Sequence, residues 1–231
     1  MHFCGMNKTT LLDYPGHVAA TLFTGGCNMR CPFCQNSGLV LAPREQPEIS
    51  EQEVLAFLRR RQGILEGVCI TGGEPTLCPD LEDFIRRVRE LGYLVKLDTN
   101  GYRPQILRHL LEEKLLDYVA MDIKASKERY GIACGLPDVE LQHIEESVEL
   151  LKRSSIPYEF RTTVVKGIHR PEEFTAIGRW LQGCRAYYLQ SFRDSEQVMQ
   201  PGFAEFEHTE LEEMRERAAQ YIPQTALRGV V

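Results

Sequence analysis

Six short apolar runs, each followed by a segment of helical periodicity, confine this chain to an α/β fold built on parallel strands. The runs cover residues 17–24, 68–71, 93–98, 118–124, 158–165 and 187–191. The first helix is expected over 50–62, where Ser50 and Glu53 form a capping-box pattern and Val54, Phe57 and Leu58 line one face. In the second, Leu81, Phe84, Ile85, Val88 and Leu91 recur at three- and four-residue spacing between Asp80 and a stop at Gly92. Pro104 suits a first helical position ahead of Ile106, Leu107, Leu110 and Leu111. Further helices are expected over about 140–153, over 171–181, and from Thr209, with Glu212 three residues on. Six repeats with short connections match a partial (β/α)6 barrel better than an open doubly wound sheet, although the pattern alone admits both. No linker interrupts the chain, so one domain is expected over 1–231, with a core at about 16–192 and a C-terminal extension at about 193–231. The stretch 38–49 reads as surface loop, and 193–208 as the least regular part.

Composition narrows the function classes. The net charge is −6, with no basic run or tail, which gives no reason to expect nucleic-acid binding. No apolar segment approaches membrane-spanning length and the N-terminus lacks a signal-peptide core, so a reducing, cytoplasmic setting is expected. In that setting Cys4, Cys69, Cys78, Cys134 and Cys184, scattered along the chain, read as small buried hydrophobes rather than a disulfide framework.

The other three cysteines differ. Cys27, Cys31 and Cys34 stand in a C-x3-C-x2-C spacing at the end of the first apolar run, which brings three thiolates onto one concave patch. A closed structural zinc site usually takes four protein ligands, and no fourth Cys or His lies nearby in sequence. Three thiolates can instead hold three irons of a four-iron, four-sulfur cluster and leave one iron open. A zinc-binding interaction module without catalysis is the competing reading.

Buried parallel strands usually read as continuous apolar runs, and here several do not. Lys96 and Asp98 share one strand face; Asp122 and Lys124 lie opposite Val119, Met121 and Ile123; Glu159, Arg161 and Thr163 share a third face. Such charges are costly unless paired or used, and they gather toward the C-terminal strand ends, where barrels of this class place their active sites. They form either an ion-pair network without chemical role or a polar cavity for a charged, zwitterionic ligand. In the second case Asp98, Thr99 and Asp122 offer hard oxygens, and Lys124 and Arg161 offer donors suited to a carboxylate. The run Gly72-Gly73-Glu74-Pro75 fits the same ligand, because two glycines admit close backbone approach and the edge carbonyls can accept from an amino group.

These strings together resemble the radical S-adenosylmethionine (SAM) activating enzymes of glycyl-radical proteins. More narrowly, the chain is similar to the anaerobic ribonucleoside-triphosphate reductase activating proteins. The superfamily-wide part is the cysteine motif with Phe33 before its last cysteine, together with Gly72–Pro75. The narrower part is Leu12-Asp13-Tyr14-Pro15-Gly16, Leu97-Asp98-Thr99-Asn100-Gly101, Ala120-Met121-Asp122-Ile123-Lys124 and the run 159–165. The resemblance extends from about residue 5 to about 192. It departs at Gln35, where members of the group commonly have His.

The resemblance implies a radical SAM type (β/α)6 barrel and a [4Fe–4S] cluster on Cys27, Cys31 and Cys34, its open iron chelated by SAM. Phe33 would lie near the adenine, Gly72, Gly73, Glu74 and Pro75 would hold the methionyl amino group, and Lys124 and Arg161 would support the carboxylate. Asp98, Thr99 and Asp122 would serve a monovalent cation, Gln190 would reach the ribose, and Asn100 belongs to the same cofactor-binding string. Reductive cleavage of SAM would yield a 5′-deoxyadenosyl radical that takes a hydrogen atom from a backbone glycine of the partner reductase. The implied partners are that glycyl-radical protein and a one-electron donor such as a flavodoxin or ferredoxin, with no nucleic acid and no membrane. No general base is required, in keeping with the lack of a His/Asp or Ser/His constellation. The alternatives are activation of another glycyl-radical enzyme and a radical reaction on a small molecule, a nucleoside or tRNA.

Overall fold

The computed structural model describes residues 1–229, and their contacts gather into two compact units. The first comprises Met1–Asn28, Asn36–Ala120 and Ser154–Pro157. Its elements in chain order are β1 (His2–Phe3), β2 (Gly5–Thr10), β3 (Ala19–Thr24), α1 (Ser37–Leu41), β4 (Ile49–Ser50), α2 (Glu51–Arg60), β5 (Gly67–Gly72), α3 (Leu81–Glu90), β6 (Leu94–Thr99) and α4 (Pro104–Glu112). Strand β7 (Tyr118–Asp122) begins in this unit.

The order β2-β3-β5-β6-β7 follows from burial. Every residue of β3 but Phe23, and all of β6 but Leu94, is buried, which is the signature of strands covered on both faces. β3 lies parallel to β5, from Ala19 against Gly67 to Thr24 against Gly72. β5 lies parallel to β6, so Cys69 stands beside Lys96. The capping box expected at α2 is present: Ser50 Oγ accepts from Glu53 N–H, and Glu53 Oε2 accepts from Ser50 N–H at 2.9 Å. α3 buries Leu81, Phe84, Ile85 and Val88, with Phe84 and Phe3 rings 4.9 Å apart. The Asp13-Tyr14 pair has a packing reason. Thr21 donates to Asp13 at 2.5 Å, and the buried Tyr14 ring lies over Gly67, where a Cβ would come within 2.8 Å of it.

The second unit comprises Met29–Gln35, Met121–Arg153 and the chain from Tyr158 onward. It holds α5 (Tyr130–Cys134), α6 (Leu141–Arg153), β8 (Tyr158–Val164), α7 (Glu173–Leu181), β9 (Tyr187–Ser191), α8 (His208–Ala219) and β10 (Thr225–Arg228). The strand order is β7-β8-β9-β10, with β8, β9 and β10 parallel. α7 and α8 pack closely at Gly178, where a Cβ would meet Ala218 O at 3.1 Å.

All six expected parallel strands are present, so the α/β class with a mostly parallel sheet holds. Several boundaries and elements differ from expectation. The first of the six strands starts at Ala19, not residue 17. Ahead of it, β2 pairs antiparallel with β3; its exposed Asn7, Lys8 and Thr9 face water from an edge strand, so no apolar alternation marks it. The stretch 38–49 is not loop alone, because it carries most of α1 and a single 3₁₀ turn at Pro43–Glu45. β10 adds a seventh parallel strand only four residues long. The last helix begins at His208, and its capping box is Glu207 with Glu210 rather than Thr209 with Glu212. Glutamate seldom caps a helix, so Thr209 drew the expectation. Residues 193–207 are irregular, as expected, apart from a bridge between Lys166 and Ala204.

Candidate functional site

In the first unit the end of β3 delivers the chain to Gly25, Gly26 and Cys27, and the end of β5 runs directly against that loop. Gly73 N–H donates to Thr24 O at 2.9 Å and Glu74 N–H to Gly26 O at 2.8 Å. Gly72 has φ +112, a conformation suited to glycine. A Cβ on Gly73 would stand 1.9 Å from Gly26 O. The paired glycines, read from sequence as room for a ligand, are therefore also required by the approach of the cysteine loop.

Glu74 ties this corner to the end of β6. Its buried carboxylate accepts from Thr76 N–H (3.1 Å), Thr76 Oγ1 (2.5 Å), Thr99 Oγ1 (2.8 Å) and Asn100 N–H (2.6 Å). Burial raises its pKa, and those four donors oppose the rise. Asn100 then turns back to the cysteine loop, with Nδ2 2.8 Å from Asn28 Oδ1 and 3.8 Å from Cys27 Sγ. Asp98 pairs with the Lys96 ammonium, and the Cys69 thiol lies 3.7 Å from its Oδ1. Thus Cys27, Gly73, Glu74, Thr99 and Asn100 belong to one hydrogen-bonded cluster, and Asp98 is held in an ion pair with Lys96.

The second unit holds the remaining candidates. Cys34 N–H donates to Cys31 O at 3.0 Å, a turn that places Pro32 and Phe33 at its centre. Cys31 and Phe33 are buried and Cys34 is half-buried. At the end of β7, Asp122 accepts from Arg161 Nε at 2.5 Å and from Lys124 Nζ at 2.8 Å. Burial alone would raise the Asp122 carboxyl, but the two cations outweigh it and hold it well below the usual carboxylate range. For Lys124, burial works against the charge, while Asp122 and Cys31 raise its pKa above the ordinary ammonium value. Lys124 and Arg161, the donors expected for a carboxylate, are thus both engaged by Asp122. Gln190 faces Thr163 across the β8–β9 ladder, and Tyr188 faces Arg161, so Gln190 shares a strand face with Arg161. On that face Glu159 is fully buried against Arg228, whose guanidinium lies 3.4 Å from the Tyr188 ring centroid.

Among the described residues no disulfide joins any of the eight cysteines, and no three His, Cys, Asp or Glu side chains converge on a point suited to one metal ion. A four-iron cube takes one thiolate per iron, so its donors stand apart. Three thiolates with a cationic lysine beside one of them suit such a soft, anionic group. The donor set fits the cluster. Of the scattered cysteines, Cys69, Cys134 and Cys184 are buried as expected, while Cys4 and Cys78 are only half-buried.

His169 escaped the sequence reading. Its Nδ1 accepts from Val165 N–H at 3.0 Å, its Nε2 donates to Lys124 O at 2.7 Å, and its ring stands edge-on to Phe33 at 6.0 Å. A lone histidine in a β–α connection, 45 residues from Lys124, carries no local signal. Burial lowers its pKa from 6.5 to about 4. The unfolded imidazole takes a proton near 6.5 and the folded one only near 4, so this contribution is complete above pH 6.5 and declines as pH falls toward 4. The full difference corresponds to about 3 kcal/mol. In urea unfolding, the wild type is expected to lose about 2 kcal/mol between pH 7 and pH 5 beyond the loss shown by His169→Gln. Equal losses in the two proteins would contradict this role.

Among the described residues no helix is long and apolar enough to cross a membrane. A family model described as the Radical SAM superfamily matches residues 21–181. A Methanocaldococcus jannaschii protein, provisionally named a glycyl-radical enzyme activating enzyme, is 30% identical over 98% of this chain and 95% of its own length. A Thermococcus kodakarensis protein, provisionally named GTP 3′,8-cyclase, is 32% identical over 64% of this chain and 48% of its own. The structure of Streptococcus suis SuiB bound to its precursor peptide SuiA superposes on 90% of this chain and 48% of that one. Its TM-score is 0.67 at 16% identity, a likeness of fold.

Proposed function

This chain belongs to the radical SAM superfamily, and we propose that within it the protein is a glycyl-radical enzyme activase whose partner is an anaerobic ribonucleoside-triphosphate reductase. As a superfamily member it uses a [4Fe–4S] cluster and SAM. The observation that carries the proposal is the activase relative, which matches nearly end to end rather than over the cofactor-binding core alone. The Asp13-Tyr14-Pro15-Gly16 and Asp98-Thr99-Asn100-Gly101 strings support the narrower choice of partner.

The cluster and SAM supply one-electron cleavage of a carbon–sulfur bond and abstraction of a hydrogen atom. The chain supplies placement. Cys27, Cys31 and Cys34 would hold three irons. Carbonyls of Gly72 to Pro75 would accept from the methionyl amino group, on a backbone that Glu74 pins through Thr76, Thr99 and Asn100. Lys124 and Arg161, oriented by Asp122, receive the carboxylate. Phe33 flanks the adenine, Gln190 serves the ribose, and Asp98, Thr99 and Asp122 offer oxygens to a monovalent cation. At Asp98 that cation would compete with the Lys96 ammonium. Electrons come from a flavodoxin- or ferredoxin-type donor.

The anaerobically reconstituted, reduced protein, mixed with the reductase and SAM, is expected to give 5′-deoxyadenosine and a glycyl EPR doublet on the reductase. Deoxyadenosine without a doublet on any glycyl-radical protein tested would overturn the activase reading. The cyclase relative favours a second reading, radical chemistry on a nucleoside, although this chain spans only 48% of that protein. Deoxyadenosine formation stimulated by a nucleoside triphosphate, with no protein partner present, would select it.

A further inference from the structure

The loop that carries Cys31 and Cys34 is bound along its length by residues 193–200. Gln200 N–H donates to Pro32 O at 2.9 Å and Met199 N–H to Cys34 O at 2.9 Å. A turn closed by Val198 N–H to Ser195 O at 3.0 Å brings those two amides round to the loop. The third bond comes from a side chain: Gln35 Nε2 donates to Arg193 O at 2.7 Å, across 158 residues of sequence. The segment is anchored at both ends. It leaves β9 after Ser191, and beyond residue 200 Lys166 N–H donates to Ala204 O at 2.9 Å while Lys166 Nζ pairs with Glu210 at 3.1 Å. Between these anchors, two of the three loop bonds are backbone to backbone and would be made by many sequences. Gln35 is the one whose side chain decides whether the bond forms.

We propose that Gln35 is a positioning residue that clamps the 193–200 strap across Pro32–Cys34 and so limits the access of water and chelators to the metal held by Cys34. The proposal rests on reading Cys34 as a cluster ligand. Solvent access and hydrogen bonding around an iron–sulfur cluster tune its potential and its lability. The reduced cluster carries more negative charge than the oxidised one, and water stabilises the extra charge. Releasing the strap therefore raises the midpoint potential and speeds iron loss.

The test uses the full chain with Gln35→Glu, which keeps the shape but removes the donor, and Gln35→His, which restores an N–H. Because residue 35 is exposed, both variants keep the fold. In the metal-free protein, Gln35→Glu is expected to raise amide hydrogen exchange at Met199 and Gln200 roughly three- to tenfold, the range of one net hydrogen bond. In the reconstituted protein it is expected to raise the rate of iron removal by bathophenanthroline by a similar factor. Because the added carboxylate itself lowers the midpoint, the potential is read by EPR in Gln35→Met, which lacks both donor and charge, and is expected to move upward there. Gln35→His should stay close to wild type in all three. Wild-type exchange at Met199 and Gln200 in Gln35→Glu would overturn the clamp. Faster exchange with unchanged iron loss and potential would overturn the shielding role. A wild-type chain that takes up no iron and sulfide, while exchange still responds to Gln35→Glu, would show instead that the cysteine reading had failed and would end the positioning role with it.

Discussion

Cys31→Ser is expected to abolish the visible absorbance of the reconstituted cluster and to bring SAM cleavage to background. Serine presents a hard hydroxyl that stays protonated at neutral pH where iron needs a soft thiolate. Changes in the outer shell of a metal site cost about 10- to 100-fold, so loss of a ligand is expected to cost at least roughly 100-fold. Lys124 would lose its thiolate neighbour yet keep its bond to Asp122 at 2.8 Å, so the fold is expected to persist and unfolding by urea to change little. Cys4→Ser, a half-buried cysteine outside the motif, serves as the control and should keep both cluster and activity. Retention of the full iron complement and turnover in Cys31→Ser would remove Cys31 from the ligand set.

Gly73→Ala is expected to be the most damaging single methyl group in the first unit. The added Cβ would lie 1.9 Å from Gly26 O and 2.6 Å from its carbonyl carbon, both backbone atoms that cannot rotate away. Relief requires the cysteine loop to separate from the end of β5, which breaks Glu74 N–H to Gly26 O and Gly73 N–H to Thr24 O. Overpacking of this kind costs about 3 kcal/mol or more, which for a chain of this size corresponds to a fall in Tm of about 6–12 °C. Cys27 is displaced with the loop, so cluster uptake should fall as well. Gly63→Ala gives the cost of a positive φ without steric overlap, since Gly63 has φ +78 and nothing within 4 Å of its Cβ position, whereas Gly73 carries the overlap without a positive φ. It should cost about 1–2 kcal/mol and leave the cluster intact. Equal Tm values for Gly73→Ala and the wild type would mean that the two loops do not meet as closely as the structure has them.

The parts of this protein legible in the sequence are those that repeat or that use rare chemistry. Val68 to Ile70, Leu97, Val119 to Met121 and Phe160 are buried on covered strands, so their apolar runs announce themselves, and α2 and α3 show their faces by periodicity. The C-x3-C-x2-C spacing is local, and Gly72 to Pro75 is local too, so both were visible without coordinates. Elements with little to bury were not. β2 is an exposed edge, β1 and β4 have two residues each, and the N-cap position of α8 is Glu207, a residue type that propensity ranks low there.

What the sequence determined by itself is therefore the α/β class, the six parallel strands and the C-x3-C-x2-C spacing of the proposed ligands, because each is written in neighbouring residues. Which charges on the strands would pair was open, and only the tertiary structure joined Arg161 to Asp122, Lys96 to Asp98 and Arg228 to Glu159. It also turned Asn100 toward Cys27, brought His169 under Phe33 and Lys124, and laid residues 193–200 across the loop that ends in Gln35. Apart from Lys96 with Asp98, two residues apart on one strand, those decisions depend on strand register and on contacts across 39 to 158 residues of chain. A hydrogen bond needs its partners within about 3 Å, a condition that spacing along a sequence does not encode.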